Sequence, residues 1–357
     1  MRYPDLESRI RIAKENGRFK HLPTSTAIPD FQSNDVLGLA QNTALKKHLL
    51  HYFLHENIPL GAGGSRSISG NLSLYSRCEH AIAQRTGAQA ALLVSSAFQA
   101  NSLFFSTVPG RADRILYDKS VHASIRLAIH QSRIPSRGFE HGDWNMLERL
   151  LEKPHPGNTY LAIESVYSMS GNVSPLILIR SLQERYGFRL VVDEAHSIGS
   201  MGKRGEGWAT LQDREHWIFA SILGFGKALG SAGGAILGSQ SLIELLIGTG
   251  KAFIYSTGIQ PLAALQVCTL MEDEQWIQTG QAQLYTNMEQ LGIEVYPNKV
   301  GWIQFIETVQ RPDWEAHFGI KYLRPPTVDP GKEGYRCMVH AHNTLQEIDL
   351  LKKLLES

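Results

Sequence analysis

The sequence predicts an α/β fold: a large domain with a mostly parallel sheet covered by helices, and after it a reduced α+β domain. From residue 72 onward, short apolar runs alternate with helical patterns, as in parallel strands joined by helices. The run Leu190-Val191-Val192 is apolar throughout, which suits a strand buried on both faces, and it ends on Asp193. Past Gly258 the alternation loosens into a long helix and a few short strands. The division expected is 1–40 as an N-terminal segment associated with the small domain, 41–258 as the large domain and 259–357 as the small one.

In chain order, residues 5–20 read as a short amphipathic helix, and Phe31 to Leu39 as a strand leaving into a polar turn. Helices are expected over 43–54 and 73–86, with the glycine-rich stretch Gly61 to Asn71 between them. That stretch is either a flexible surface loop or a backbone that approaches a ligand closely, which glycine permits. Strands are expected over Ala90–Val94, Arg114–Tyr117, Tyr160–Glu164, Leu190–Val192 and Trp217–Leu223. The small domain should hold a helix over about 260–290, strands around Val295, Trp302–Phe305 and Arg336–Val339, and a terminal helix over about 344–355.

Composition narrows the function. Lysine and arginine number 35 against 34 acids, so no basic excess speaks for a nucleic-acid or membrane-surface role. The three cysteines, Cys78, Cys268 and Cys337, stand far apart, which fits neither a disulfide scaffold nor a zinc site and suits a reducing compartment. The charged N-terminus lacks the apolar stretch of a signal peptide, and no run reaches the length of a membrane span. A cytoplasmic protein with no metal is expected.

Candidate chemistry gathers at the predicted strand ends. In open α/β sheets ligands sit beyond the carboxyl ends of the strands, where Asp193 and His196 would lie. A carboxylate there calls for a cation, such as the protonated ring nitrogen of a cofactor. Ser95 to Asn101 turns from a strand into a helix, whose free N–H groups and dipole suit a phosphate. His122 and Ser168 each follow a strand. Lys227 lies among glycine and apolar residues, and burial would favour its nucleophilic neutral amine. Taken alone, Lys227 reads more readily as a surface lysine in a flexible loop, Asp193 as a helix cap or a metal ligand and His122 as an exposed loop residue. Their order on successive strand ends joins them into one reading.

These residues stand in motifs. Ser33-Asn34-Asp35-Val36-Leu37-Gly38-Leu39, Val121-His122-Ala123-Ser124, Asp193-Glu194-Ala195-His196, Phe225-Gly226-Lys227-Ala228 and Tyr255-Ser256-Thr257 follow one another in order, and Leu323-Arg324-Pro325-Pro326-Thr327-Val328 comes later. In this the sequence resembles the α-oxoamine synthases, pyridoxal-phosphate enzymes of the type I aminotransferase fold. The likeness runs from about Phe31 to Thr257 and resumes at Leu323.

The resemblance implies a role for each position. Lys227 would hold pyridoxal 5'-phosphate covalently and later act as general base. Asp193 would keep the pyridine nitrogen protonated, making the ring an electron sink. His122 would stack on the ring, and Ser168 and His196 would bond its phenolic oxygen. Ala97 and Phe98 would offer backbone N–H groups to the phosphate. Ser256 and Thr257 would reach it from the partner subunit of a homodimer with shared active sites. Arg336, assisted by Asn34, would grip the substrate carboxylate with a bidentate fork. Thr327 would sit near the substrate and Lys20 near the acyl group.

The implied reaction is a decarboxylative condensation of a small amino acid with an acyl thioester. Gly63 to Arg66, Gly70-Asn71 and Arg324 to Val328 look most like the branch that joins L-alanine to a pimeloyl thioester, on coenzyme A or a carrier protein, in biotin synthesis. The alternatives are a glycine C-acetyltransferase or long-chain acyl branch, and a non-catalytic relative acting as a binding partner. This sequence departs from the family pattern in places. Gly224 stands where the family has a phosphate-bonding Thr, with Ser221 as the nearest substitute hydroxyl. Tyr75 and Asn343 stand where many members have His, and the stretch from about 272 to 322 is shortened.

Overall fold

The computed structural model describes residues 5–16, 29–211, 217–293, 298–318 and 330–356, with 19, 22, 296, 320–325 and 328 between them. Seven strands form the main sheet: β1 (Ala90–Val94), β2 (Arg114–Asp118), β3 (Ser136–Phe139), β4 (Thr159–Glu164), β5 (Arg189–Asp193), β6 (Ile218–Gly224) and β7 (Gly234–Gly238). Their order is β1-β7-β6-β5-β4-β2-β3. From β6 to β3 all neighbours are parallel, whereas β7 runs against both β6 and β1. Since β1 and β6 both oppose β7, they point the same way. The carboxyl ends of β1, β2, β4, β5 and β6 therefore share one edge, and the functional loops issue from it.

The central strands are apolar on both faces because both faces are covered. In β5, Leu190 and Val192 enter the core that holds Trp208 and Ile179, while Val191 enters the one that holds Phe104 and Ile125. All three residues are at most 2% exposed. The helices Ala97–Thr107 and Ala123–Ser132 pack together over the second of these cores.

A smaller antiparallel sheet contains β8 (Ile303–Glu307), β9 (Lys321–Leu323) and β10 (Gly334–Met338) in the order β8-β10-β9. The N-terminal segment is tied to β10 and the residues after it. Met338 N donates to the Phe31 carbonyl at 2.8 Å, and Ala341 N to that of Val36 at 2.8 Å.

Several sequence expectations need correction. Phe31 to Leu39 contains no strand. Its apolar residues are buried, but the Asp35 carboxylate accepts from the N–H groups of Leu39 at 2.9 Å and Ala40 at 3.1 Å, which closes a turn. The single helix over 260–290 is two, Pro261–Glu272 and Gln275–Gln290, parted where the Asp273 side chain accepts from Gln275 N. β3, β7 and β9 were not anticipated, and the strand expected around Val295 falls outside the described residues. Among the described residues, no helix is long and apolar enough to cross a membrane.

Candidate active site

At the shared strand edge lies a cavity of about 420 Å³. Seven of the residues singled out in the sequence line it: Asn34, Ala97, Phe98, His122, Ser168, Asp193 and Lys227. Each has a local reason for being there. Lys227 sits in the hairpin that reverses the chain from β6 to β7, closed by hydrogen bonds from Phe225 N to the Gly233 carbonyl and from Gly230 N to the Lys227 carbonyl. Asp193 is the last residue of β5. His122 caps the helix Ala123–Ser132, and its Nδ1 accepts from Ser124 N at 3.2 Å.

Asp193 is 7% exposed and well served by donors. Asn101 Nδ2 donates to Oδ2 at 3.2 Å, and Ala195 N to Oδ1 at 3.0 Å. Burial lowers the pKa of the Lys227 amine, opposed by the negative charges of Asp193 and Glu164. It lowers that of His122 too, against the nearby Asp193 carboxylate. His196 is buried and is not among the residues that line the cavity; burial, with the positive charges of Lys227, Arg336 and His122, holds it neutral.

The helix Ala97–Thr107 aims its N-terminus at the cavity. Ser96 Oγ accepts from Gln99 N at 3.0 Å and so caps one donor, while Ala97 and Phe98, whose N–H groups have no intrahelical partner, line the cavity. The backbone packs tightly around them. A Cβ added at Gly234 would fall 2.7 Å from Ala97 N, so only glycine lets β7 come this close.

Arg336 projects from β10 and donates through Nη2 to Asn34 Oδ1 at 2.8 Å. Its buried Nε has no partner, so half of the guanidinium fork is free for a carboxylate. Ser256 and Thr257 do not reach the cavity of their own chain. Thr257 is exposed and pairs with Ser65 in an isolated β-bridge. Lys20 and Thr327 lie outside the described residues.

Three further positions resolve differently from expectation. Ser221 is no substitute for the missing threonine: it is wholly buried within β6, paired with Val192 and Leu237, and its Oγ has no partner. The Gly224 position is itself closed to a side chain, since a Cβ there would lie 2.9 Å from Ala195 Cβ and 3.2 Å from Ala97 Cβ. The glycine-rich stretch 61–71 is no loose loop, because Arg66 within it forms a bidentate pair with Glu79 at 2.5 and 3.0 Å, and Glu79 also accepts from Leu93 N in β1.

Sequence reasoning missed Glu164, Asn101 and Ser231. Glu164 carried the same signal that picked out Asp193, an acid closing a buried strand, and the two are register partners across β4 and β5. Ser231 lines the cavity and donates to the Ala263 carbonyl at 3.1 Å. Asn101 sits inside a helix, where nothing local marks it.

Comparison with known proteins agrees with this arrangement. The sequence profile of the family "Aminotransferase class I and II" matches residues 28–313. The 8-amino-7-oxononanoate synthase of Geobacter sulfurreducens is 32% identical over 335 residues, 89% of this chain and 85% of its own. That of an Enterobacter species is 31% identical over 358 residues, 96% and 92% of the two chains. In structure, a serine palmitoyltransferase variant from S. paucimobilis with a bound PLP–myriocin aldimine superposes with a TM-score of 0.84 at 20% identity, covering 98% of this chain and 96% of its own.

The chain belongs to the class I and II aminotransferase family. Within it the chain is an α-oxoamine synthase, an acyltransferase-type enzyme that works with pyridoxal phosphate. The residues present fit that cofactor: an amine of lowered pKa, a strand-end carboxylate and two open N–H groups at a helix N-terminus converge on one cavity.

Proposed function

We propose that this enzyme condenses L-alanine with a pimeloyl thioester, carried by coenzyme A or a carrier protein, as in biotin synthesis. The α-carbon of the amino acid bonds to the acyl carbon, the thiol leaves, and the amino-acid carboxyl departs as carbon dioxide. The observation that carries this reading is the convergence of Lys227 and Asp193 on one cavity with Arg336 beside it. Identity of 31–32% to 8-amino-7-oxononanoate synthases along most of the chain supports the choice of substrates.

Bound in the cavity, pyridoxal phosphate supplies an electron sink for negative charge on the α-carbon. The chain supplies the rest. Asp193 meets a ring cation with a carboxylate that Asn101 and Ala195 already orient. Lys227 Nζ takes the α-proton, for which its lowered pKa suits it. His122, neutral and fixed by Ser124, presents a flat ring face, and Ser168 and His196 address the phenolic oxygen. The Ala97 and Phe98 N–H groups seat the phosphate. Arg336, held by Asn34, takes the substrate carboxylate. Ser256 and Thr257, outside their own cavity, reach the phosphate of a second subunit in a homodimer.

A second reading stays within the family: the same machinery with glycine or serine and another acyl chain, since the structural likeness includes a serine palmitoyltransferase. Alanine, glycine and serine, each offered with pimeloyl, acetyl and palmitoyl thioesters, separate the two by product analysis. Our reading expects turnover of the alanine and pimeloyl pair; a strict preference for glycine with the acetyl thioester would overturn it.

A further inference from the structure

Glu164 ends β4 at the cavity, next to Asp193 across the ladder, and is 3% exposed. A buried acid beside a second acid is costly unless donors meet it. A backbone group does: His122 N donates to Glu164 Oε1 at 2.5 Å.

That donor belongs to another element: His122 follows β2, caps the helix Ala123–Ser132 and lines the cavity. The buried carboxyl at the end of β4 thus holds the loop that carries His122.

We propose that Glu164 is a positioning residue: its carboxyl ties the His122 loop to the end of β4 and so fixes the His122 side chain at the cavity. Its bearing on catalysis rests on the reading of that cavity as the cofactor site. The tie itself belongs to the polypeptide and exists whether or not that reading holds.

The neighbouring charges explain why an acid is tolerated. Glu164 faces Asp193 from β5 and Lys227 from the β6–β7 hairpin. Burial, reinforced by Asp193, pushes its pKa up to about 8, while Lys227 and the His122 N–H bond pull the other way. A carboxyl accepts a backbone N–H in either protonation state, so the tie does not depend on its charge.

The test compares Glu164→Gln, which keeps an acceptor oxygen, with Glu164→Met, which keeps the length and loses both. Hydrogen exchange on the full chain, with and without pyridoxal phosphate, reads the backbone amides directly. Glu164→Met should speed exchange in 119–125 in both samples, whereas Glu164→Gln should retain protection at His122. Cofactor affinity should fall about tenfold in Glu164→Met, the worth of one strong hydrogen bond, and be largely rescued in Glu164→Gln. Wild-type protection of that stretch in Glu164→Met would overturn the proposal. So would a Glu164→Gln protein as unprotected as Glu164→Met, since charge rather than the tie would then matter. If Glu164→Met does not fold, Glu164→Gln decides against wild type on the same peptides: protection at His122 supports the tie, and its loss overturns it. Failure to bind cofactor with the exchange pattern as expected would count against the cofactor reading alone.

Discussion

Arg336 Nη2 donates to Asn34 Oδ1 at 2.8 Å, joining two residues 302 positions apart at the edge of the cavity. Arg336 is buried enough to lower its pKa to about 10, yet its Nε has no partner. The proposed function assigns that donor to the substrate carboxylate. Arg336→Ala should raise the amino-acid KM by about 10–100-fold, the worth of one charge-assisted hydrogen bond or more. Arg336→Lys should not restore it, since an ammonium cannot offer the same fork. Spectral titration with the amino acid measures both, and Asn34→Ala should show a smaller loss.

Asp193 is held by Asn101 and Ala195 through bonds made within the chain itself. Asp193→Asn should therefore fold normally and still take up pyridoxal phosphate. It cannot stabilise a ring cation, so kcat should fall by about 10²–10³-fold, the usual cost of losing one oriented electrostatic group. Stopped-flow turnover beside a cofactor absorbance spectrum checks this. A variant at near wild-type kcat would remove Asp193 from the mechanism.

Stability should carry a pH signature from Asp35. Burial pushes this carboxyl from 3.8 up to about 6, against the N–H bonds from Ala40 and Leu39 that favour the charged form. Between those two pH values the folded chain holds more proton than the unfolded one, so the contribution is complete below 3.8 and is lost as pH rises through 6. The stability of wild type relative to Asp35→Asn should decline over that window by up to about 3 kcal/mol. Urea unfolding at pH 4 and pH 7 gives the difference directly.

At Gly224 the family's threonine would not simply restore a lost contact. The neighbouring Ala195 and Ala97 Cβ atoms already occupy the space. Gly224→Thr should destabilise by about 1–3 kcal/mol, the common cost of overpacking, and weaken cofactor binding. Adding Ala195→Gly should recover most of the stability. Thermal unfolding of the single and double variants tests the pair.

Much of this was legible in the sequence, for a definite reason. Strands buried on both faces announce themselves as unbroken apolar runs, and the residues at their carboxyl ends are bound to meet. Hence β5 with Asp193, β4, and the β6 end with Lys227 could be placed from the chain alone. The strand β7 could not, because Gly234–Gly238 is short, bounded by glycine and reached by a hairpin rather than a helix. The edge strand β3, with Ser136 and Arg137 exposed, has no apolar run to show. Phe31 to Leu39 misled because its burial comes from a core it shares with Phe225, Leu284 and Met338, while Asp35 sets its backbone. The tie made by Glu164 depends on which loops fold beside it, and the pairing of β2 with β4 is not written locally.

The central claim is that Lys227 is where pyridoxal phosphate joins the chain. Borohydride reduction of the cofactor-loaded protein, followed by peptide mass mapping, tests it most directly. The account predicts one pyridoxyl group per chain, on Lys227, and none on Lys227→Ala. A label on another lysine, or no label on wild type, would contradict it.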